Sequence, residues 1–332
     1  MELLKRLVEF TIAAMMLAAA TAVPAAQLST DARGAIPHDL QQLVVIDYRA
    51  MQNSTAAMNL RNRVMPPELK MFEEALNKFT LKTGGGKPGS SQGEPIDQYV
   101  DDLAFALFRP SAGSDELQTV GIAQGQFPTQ DILAGFRAQK LKATMVRTNR
   151  IYPMTKTGMV LCFVDPSTMV FGSKDSVTKA LDARDGMARS MLTNGAMMNA
   201  MQSVDSNPLW SILDSKGTQT MMKQLLGQAG SVADFDSVKQ RLEASWYAMD
   251  FAHGVKFDLT IETGDSFAAA TISSLLSAAV ILRKMTGSDA EKQALSETAI
   301  GSNSGNLTVH FASSESNFSA LLQSPLFQSM VH

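Results

Sequence analysis

Metal chemistry is the first possibility to weigh, because 332 residues here include four histidines, one cysteine and 21 methionines. His38, His253, His310 and His332 nowhere stand at helix spacing, and Cys162 has no neighbouring ligand. A zinc site of the His/Cys kind therefore cannot be drawn. Met191, Met197, Met198 and Met201 crowd one short segment, and Met221 and Met222 follow. The Met198–Met201 spacing suits Cu(I), which selects thioethers. The same residues also fit one apolar helical face, and methionine fills irregular cores well. Core packing is the preferred reading. The six methionines remain the candidate lining of an apolar ligand site.

Covalent and acid–base chemistry find less. Gly89-Ser90-Ser91-Gln92-Gly93 has the letters of a hydrolase nucleophile elbow but lacks the apolar strand that holds that strained turn. Gly84-Gly85-Gly86-Lys87 resembles a phosphate loop, yet Pro88 replaces the hydroxyl residue that meets magnesium. Carboxylates pair at Asp101-Asp102, at Glu73-Glu74, and at Asp234 and Asp236. Neighbours one or two apart point different ways, so these read as solvated charge. Arg49, Arg61, Arg63 and Lys70 lie close to Glu68, Glu73 and Glu74 and read as a mixed, solvated surface. Asp250 shares a strand face with Trp246 and Ala248 and needs a partner if that face is covered. No catalytic, cofactor-binding or metal-ligating residue is assigned, no cofactor is expected, and the reading leans away from an enzyme.

The elements that would position any site show an internal echo. Phe171-Gly172-Ser173-Lys174-Asp175-Ser176 returns as Phe311-Ala312-Ser313-Ser314-Glu315-Ser316, in each case where a strand enters a serine-capped helix. Leu103 to Phe108 and Trp246 to Phe251 sit at nearly the same offset, matching Phe108 to Phe251. Val255, Phe257, Leu259 and Ile261 alternate with Lys256, Asp258, Thr260 and Glu262, the mark of an antiparallel strand with one dry face. The expected fold is α+β: two tandem pseudo-repeated units, each an antiparallel sheet with helices packed on one face. The first unit spans 27–186, with a flexible Gly-rich insertion at 83–95, and the second spans 187–332.

Residues 1–26 read as a signal peptide, with Lys5 and Arg6 ahead of an apolar run from Phe10 to Ala20. Cleavage is expected after Ala25 or Ala26. An exported, periplasmic or secreted protein follows, with Cys162 as a buried small hydrophobe. A net charge of −3 gives nothing to steer the chain to nucleic acid or anionic membrane. No charge stands between Asp265 and Arg283, which raises a transmembrane span. A polar stripe of Ser266, Ser273, Ser277 and Lys284 opposes Ala268, Ile272, Leu275, Ala279 and Leu282. That asymmetry indicates a helix packed on the sheet, and no transmembrane span in the mature chain.

Three segments carry a resemblance: Asp47-Tyr48-Arg49-Ala50-Met51, the run from Val120 to Phe127, and Leu181-Asp182-Ala183-Arg184-Asp185-Gly186. Together they resemble uncharacterised exported proteins of acidobacteria and related bacteria. The resemblance implies a bacterial envelope or secreted location and transfers no catalytic residue. The expected function is an exported non-catalytic protein that binds an unknown protein partner or joins an envelope assembly. A carrier of an apolar small molecule or lipid is the alternative, and an enzyme of unidentifiable class a third.

Overall fold

The computed structural model describes residues 26–65, 67–77, 96–111, 113–114, 116–156, 158–226, 235–325 and 327. The leader up to residue 25 and the 83–95 insertion, with both decoy motifs, lie outside these residues.

Among the described residues twelve strands form one sheet: β1 (Leu40–Asp47), β2 (Val100–Phe108), β3 (Gln118–Gly125), β4 (Thr144–Val146), β5 (Asn149–Pro153), β6 (Met159–Asp165), β7 (Thr168–Ser173), β8 (Leu209–Leu213), β9 (Leu242–Asp250), β10 (Val255–Thr263), β11 (Thr298–Asn303) and β12 (Asn306–Ser313). Their spatial order is β11-β12-β10-β9-β8-β1-β2-β3-β7-β6-β5-β4. Every adjacent pair is antiparallel. The first half runs β1-β2-β3-β7-β6 and the second β8-β9-β10-β12-β11, the same order twice. The hairpin β4–β5 extends the first alone.

β1 and β8, the opening strand of each half, pair with each other, placing Leu43 opposite Ile212 and Val45 opposite Trp210. Each half thereby closes an edge the other would expose, and an open edge invites wrong pairing. The fold is thus α+β, with the two halves sharing one continuous sheet rather than each holding its own.

Side chains alternate across this sheet and divide the core in two. One face carries Leu43, Val45, Ala104, Ile122, Cys162, Val170, Trp210 and Ile212. They are covered by helices Lys174–Arg184 and Gly195–Gln202 and by the segment from Ala26 to Ile36. Trp210 is fully buried, and its Nε1–H donates to the Ala26 carbonyl at 2.8 Å. The opposite face holds separate cores beneath helices Thr55–Val64, Pro67–Asn77 and Thr129–Ala138 and beneath Ser215–Leu226 and Ser266–Thr286. Helices therefore cover both faces of the first half. One-sided cover holds for the outer strands of the second, where Lys256, Asp258, Glu262 and His310 face water. His310 Nδ1 lies 2.5 Å from Asp258 Oδ1 there.

The echo explains this asymmetry. Ser173 caps Lys174–Arg184, accepting from the Ser176 amide at 3.1 Å. In the second half the cap is Ser314, three residues beyond Phe311, whereas Ser173 stands two beyond Phe171. One extra residue in a period-2 strand reverses the side on which the chain leaves. The first helix packs Val177, Ala180 and Leu181 on one face, and Glu315–Leu321 packs Phe318 on the other. Phe171 is 3% exposed, while Phe311 is only half-buried. Phe108 and Phe251 do not correspond, since they lie in cores on opposite faces.

Candidate functional site

A concave site lies under the helices that follow β1. Asp47 accepts from the Ala50 amide and starts Tyr48–Gln52, and Ser54 caps Thr55–Val64, so the stretch is divided into two short helices. With Pro67–Asn77 they roof a pocket of about 60 Å³. Its floor is Leu103 and Phe105 on β2, Ala123 on β3, and Met169 and Phe171 on β7. Phe171 stacks on Phe72 of the roof at 4.7 Å between ring centroids and meets Phe105 edge-on at 6.0 Å. The lining is apolar except for the Arg61–Glu73 pair and Tyr48.

That ion pair joins Arg61 Nη2 to Glu73 Oε1 at 2.5 Å, tying one roof helix to the next. The guanidinium also lies over the Tyr48 ring, 5.3 Å from its centroid. Only 14% of the Arg61 side chain is exposed. Its Nε is closed to solvent and finds no acceptor among the described residues. The mixed, solvated surface expected around Arg61 is thus corrected at this residue, because nothing local shows that the roof closes over it.

The structure does not bring the six candidate methionines together. Met191, Met197 and Met201 are buried and Met198 half-buried in the core beneath Gly195–Gln202. Met221 and Met222 belong to the core on the opposite face. None of the six lines the pocket. Among the described residues no group of three or more His, Cys, Asp or Glu could hold a metal ion.

One carboxylate departs from the solvated surface its sequence neighbourhood suggests. Asp102 on β2 lies directly opposite Asp47 on β1 and next to Gln124 on β3. Burial first, then the charges of Asp47 and Asp101, push its pKa up to about 7. By alternation it points to the face away from the pocket, so it adds no acid–base group there. Asp250, the other oddity, has a backbone partner: its Oδ1 accepts the Ala252 amide at 2.8 Å.

A convex surface is the second candidate. Ser266–Thr286, opened by Asp265 accepting from the Ala268 amide, buries Ala268, Ala269, Ile272 and Leu276 against the second half of the sheet. No residue of the helix beyond Leu276 is fully buried. Leu282, expected in the packed stripe, is 54% exposed, and Phe267, Ile281 and Met285 are 69%, 62% and 77% exposed. Among the described residues this is the one helix long and apolar enough to cross a membrane. Full burial is confined to its first half, from Ala268 to Leu276.

No protein-family model and no curated protein matches the chain. Its architecture is similar to that of TP0453. Crystal form I of that protein matches with a TM-score of 0.50 at 11% identity, covering 90% of this chain and 96% of the other. Crystal form III matches with a TM-score of 0.51 at 12% identity, covering 89% and 99%. At such identities the likeness extends to the fold and no further.

Proposed function

We propose that this is an exported, non-catalytic binding protein that attaches to a lipid surface of the bacterial envelope along the Ser266–Thr286 helix. The observation that carries the reading is the uncovered stripe Phe267, Ala270, Ser274, Ala278, Ile281, Leu282 and Met285. At 1.5 Å per residue the stripe runs about 27 Å. Fully burying a large apolar side chain contributes about 1.5–3 kcal/mol, so four of them support reversible attachment.

Two features favour lipid over a protein partner. The stripe asks for no hydrogen bonds: Thr271 Oγ1 donates to the Phe267 carbonyl at 2.8 Å and Ser274 Oγ to the Ala270 carbonyl at 3.0 Å. Protein interfaces carry about one hydrogen bond per 100–200 Å², whereas hydrocarbon offers none. Lys284 also stands near the last turn, while Arg241 beside Phe267 is paired with Asp265 and Arg283 with Glu291. The apolar leader supports delivery to the envelope.

Flotation with phosphatidylglycerol-containing vesicles tests this reading. Wild-type protein should float with the vesicles, and a triple variant Phe267→Glu, Ile281→Glu, Met285→Glu should stay at the bottom while remaining folded. Equal flotation of the two, or no flotation of either, overturns the proposal. A concentration-dependent dimer that the triple variant dissolves would assign the stripe to a second copy instead.

A further inference from the structure

We propose that the outer edge of β11 is the contact for a second copy of this chain, the two β11 strands pairing antiparallel across a two-fold axis. This inference does not depend on lipid attachment by the Ser266–Thr286 helix.

The internal repeat shows that a strand fits at this edge. β11 holds in the second half the place that β6 holds in the first. β6 takes an antiparallel neighbour on its outer side, with Tyr152 of β5 opposite Leu161 and Pro153 opposite Val160. The second half has no such hairpin among the described residues, so β11 ends the sheet there.

β11 also lacks the devices that keep sheet edges apart. Its residues, Thr298-Ala299-Ile300-Gly301-Ser302-Asn303, include no charge and no proline, and its register with β12 is unbroken. The opposite edge is blunted. β4 there has three residues, Met145 faces Arg150 across the hairpin, and Arg147 lies in the turn. Of the two edges, β11 is the one left open to pairing.

The strand is complementary to itself. Directly opposite residues share a sheet face, so a symmetric pair centres on one residue. Centred on Ile300, which packs on the helix-bearing face, it sets Ile300 against its own copy, Thr298 against Ser302 and Ala299 against Gly301. The nearest charge, Glu297, meets Asn303, so no like charges oppose. The axis stands perpendicular to the sheet and keeps both Ser266–Thr286 helices on the same side of it.

Sedimentation velocity of the purified protein tests the pairing. Wild-type protein should run as a dimer at micromolar concentration. Ala299→Lys with Gly301→Lys sets lysine against lysine twice across the axis and should run as a monomer, as should Ala299→Asp with Gly301→Asp. An equimolar mixture of these two variants should run as a dimer, since each lysine then meets an aspartate. Both sites accept side chains: Ala299 is exposed, and a Cβ on Gly301 meets only the Thr308 hydroxyl, at 3.3 Å. The stripe variant Phe267→Glu, Ile281→Glu, Met285→Glu should remain a dimer, which separates this contact from the stripe. A wild-type monomer overturns the proposal, even if the edge variants fail to fold. So does a dimer that the lysine variant leaves intact or the stripe variant dissolves, or a mixture of edge variants that stays monomeric.

Discussion

The ring of Phe171 lies across Gly121: a Cβ on that glycine would stand 2.2 Å from Phe171 Cζ. The two are direct cross-strand partners in β3 and β7. In the second half the corresponding pair is Phe257 with Phe311, so that a phenylalanine stands where the first half has Gly121. The missing side chain lets Phe171 lie flat on the sheet and stack on Phe72, and this packing shapes the pocket floor.

Gly121→Ala should therefore push the ring off its seat and cost about 1–3 kcal/mol by overpacking. Shortening the ring should relieve this, so Phe171→Leu and Gly121→Ala together should destabilise by clearly less than the sum of the two. A double-mutant cycle from urea denaturation reads the coupling directly. Simple additivity would show that the contact carries no strain on substitution.

Stability should depend on pH through Asp102. Its folded pKa, about 7, lies above its ordinary value of 3.8, so the folded state holds this proton more tightly than the unfolded state does. Its contribution is complete below about pH 4 and is lost as pH rises towards 7, levelling off above. Asp102→Asn should remove this slope and make the protein more stable than wild type at pH 8. Urea midpoints at pH 5 and pH 8 give the comparison, and an unchanged slope in the variant would place the titration elsewhere.

Met201 should behave as core and not as a ligand wall. It is 3% exposed within the central core, so Met201→Glu buries a charge without a partner and should cost about 3 kcal/mol or more. Met198→Glu should cost less, since that side chain is half-buried. Circular dichroism during denaturation measures both. A folded Met201→Glu protein that has lost a lipid-like passenger in native mass spectrometry would restore the apolar-site reading of this cluster.

Local rules make much of the architecture legible in the amino-acid sequence itself. Alternation in Val255–Thr263 marks β10 and its wet face, and Ser173 and Asp265 announce the helices they cap. These features depend on residues within a few positions of one another, where backbone geometry and hydrogen bonding act. The α+β class follows from them.

Tertiary structure alone decided the rest, because it concerns contacts between distant positions. The β-branched run in β1 reads as a strand, but nothing local says that β1 pairs with β8 and makes one sheet of two. The methionines carry an apolar signal without a direction, and the sheet between Met201 and Met222 is what separates them. Arg61 looks solvated until a roof helix brings Glu73 against it and closes off its Nε. The long helix is apolar along its whole length, yet only residues of its first half are fully buried. Composition sets which surfaces resist water, and the path of the chain sets which of them stay exposed.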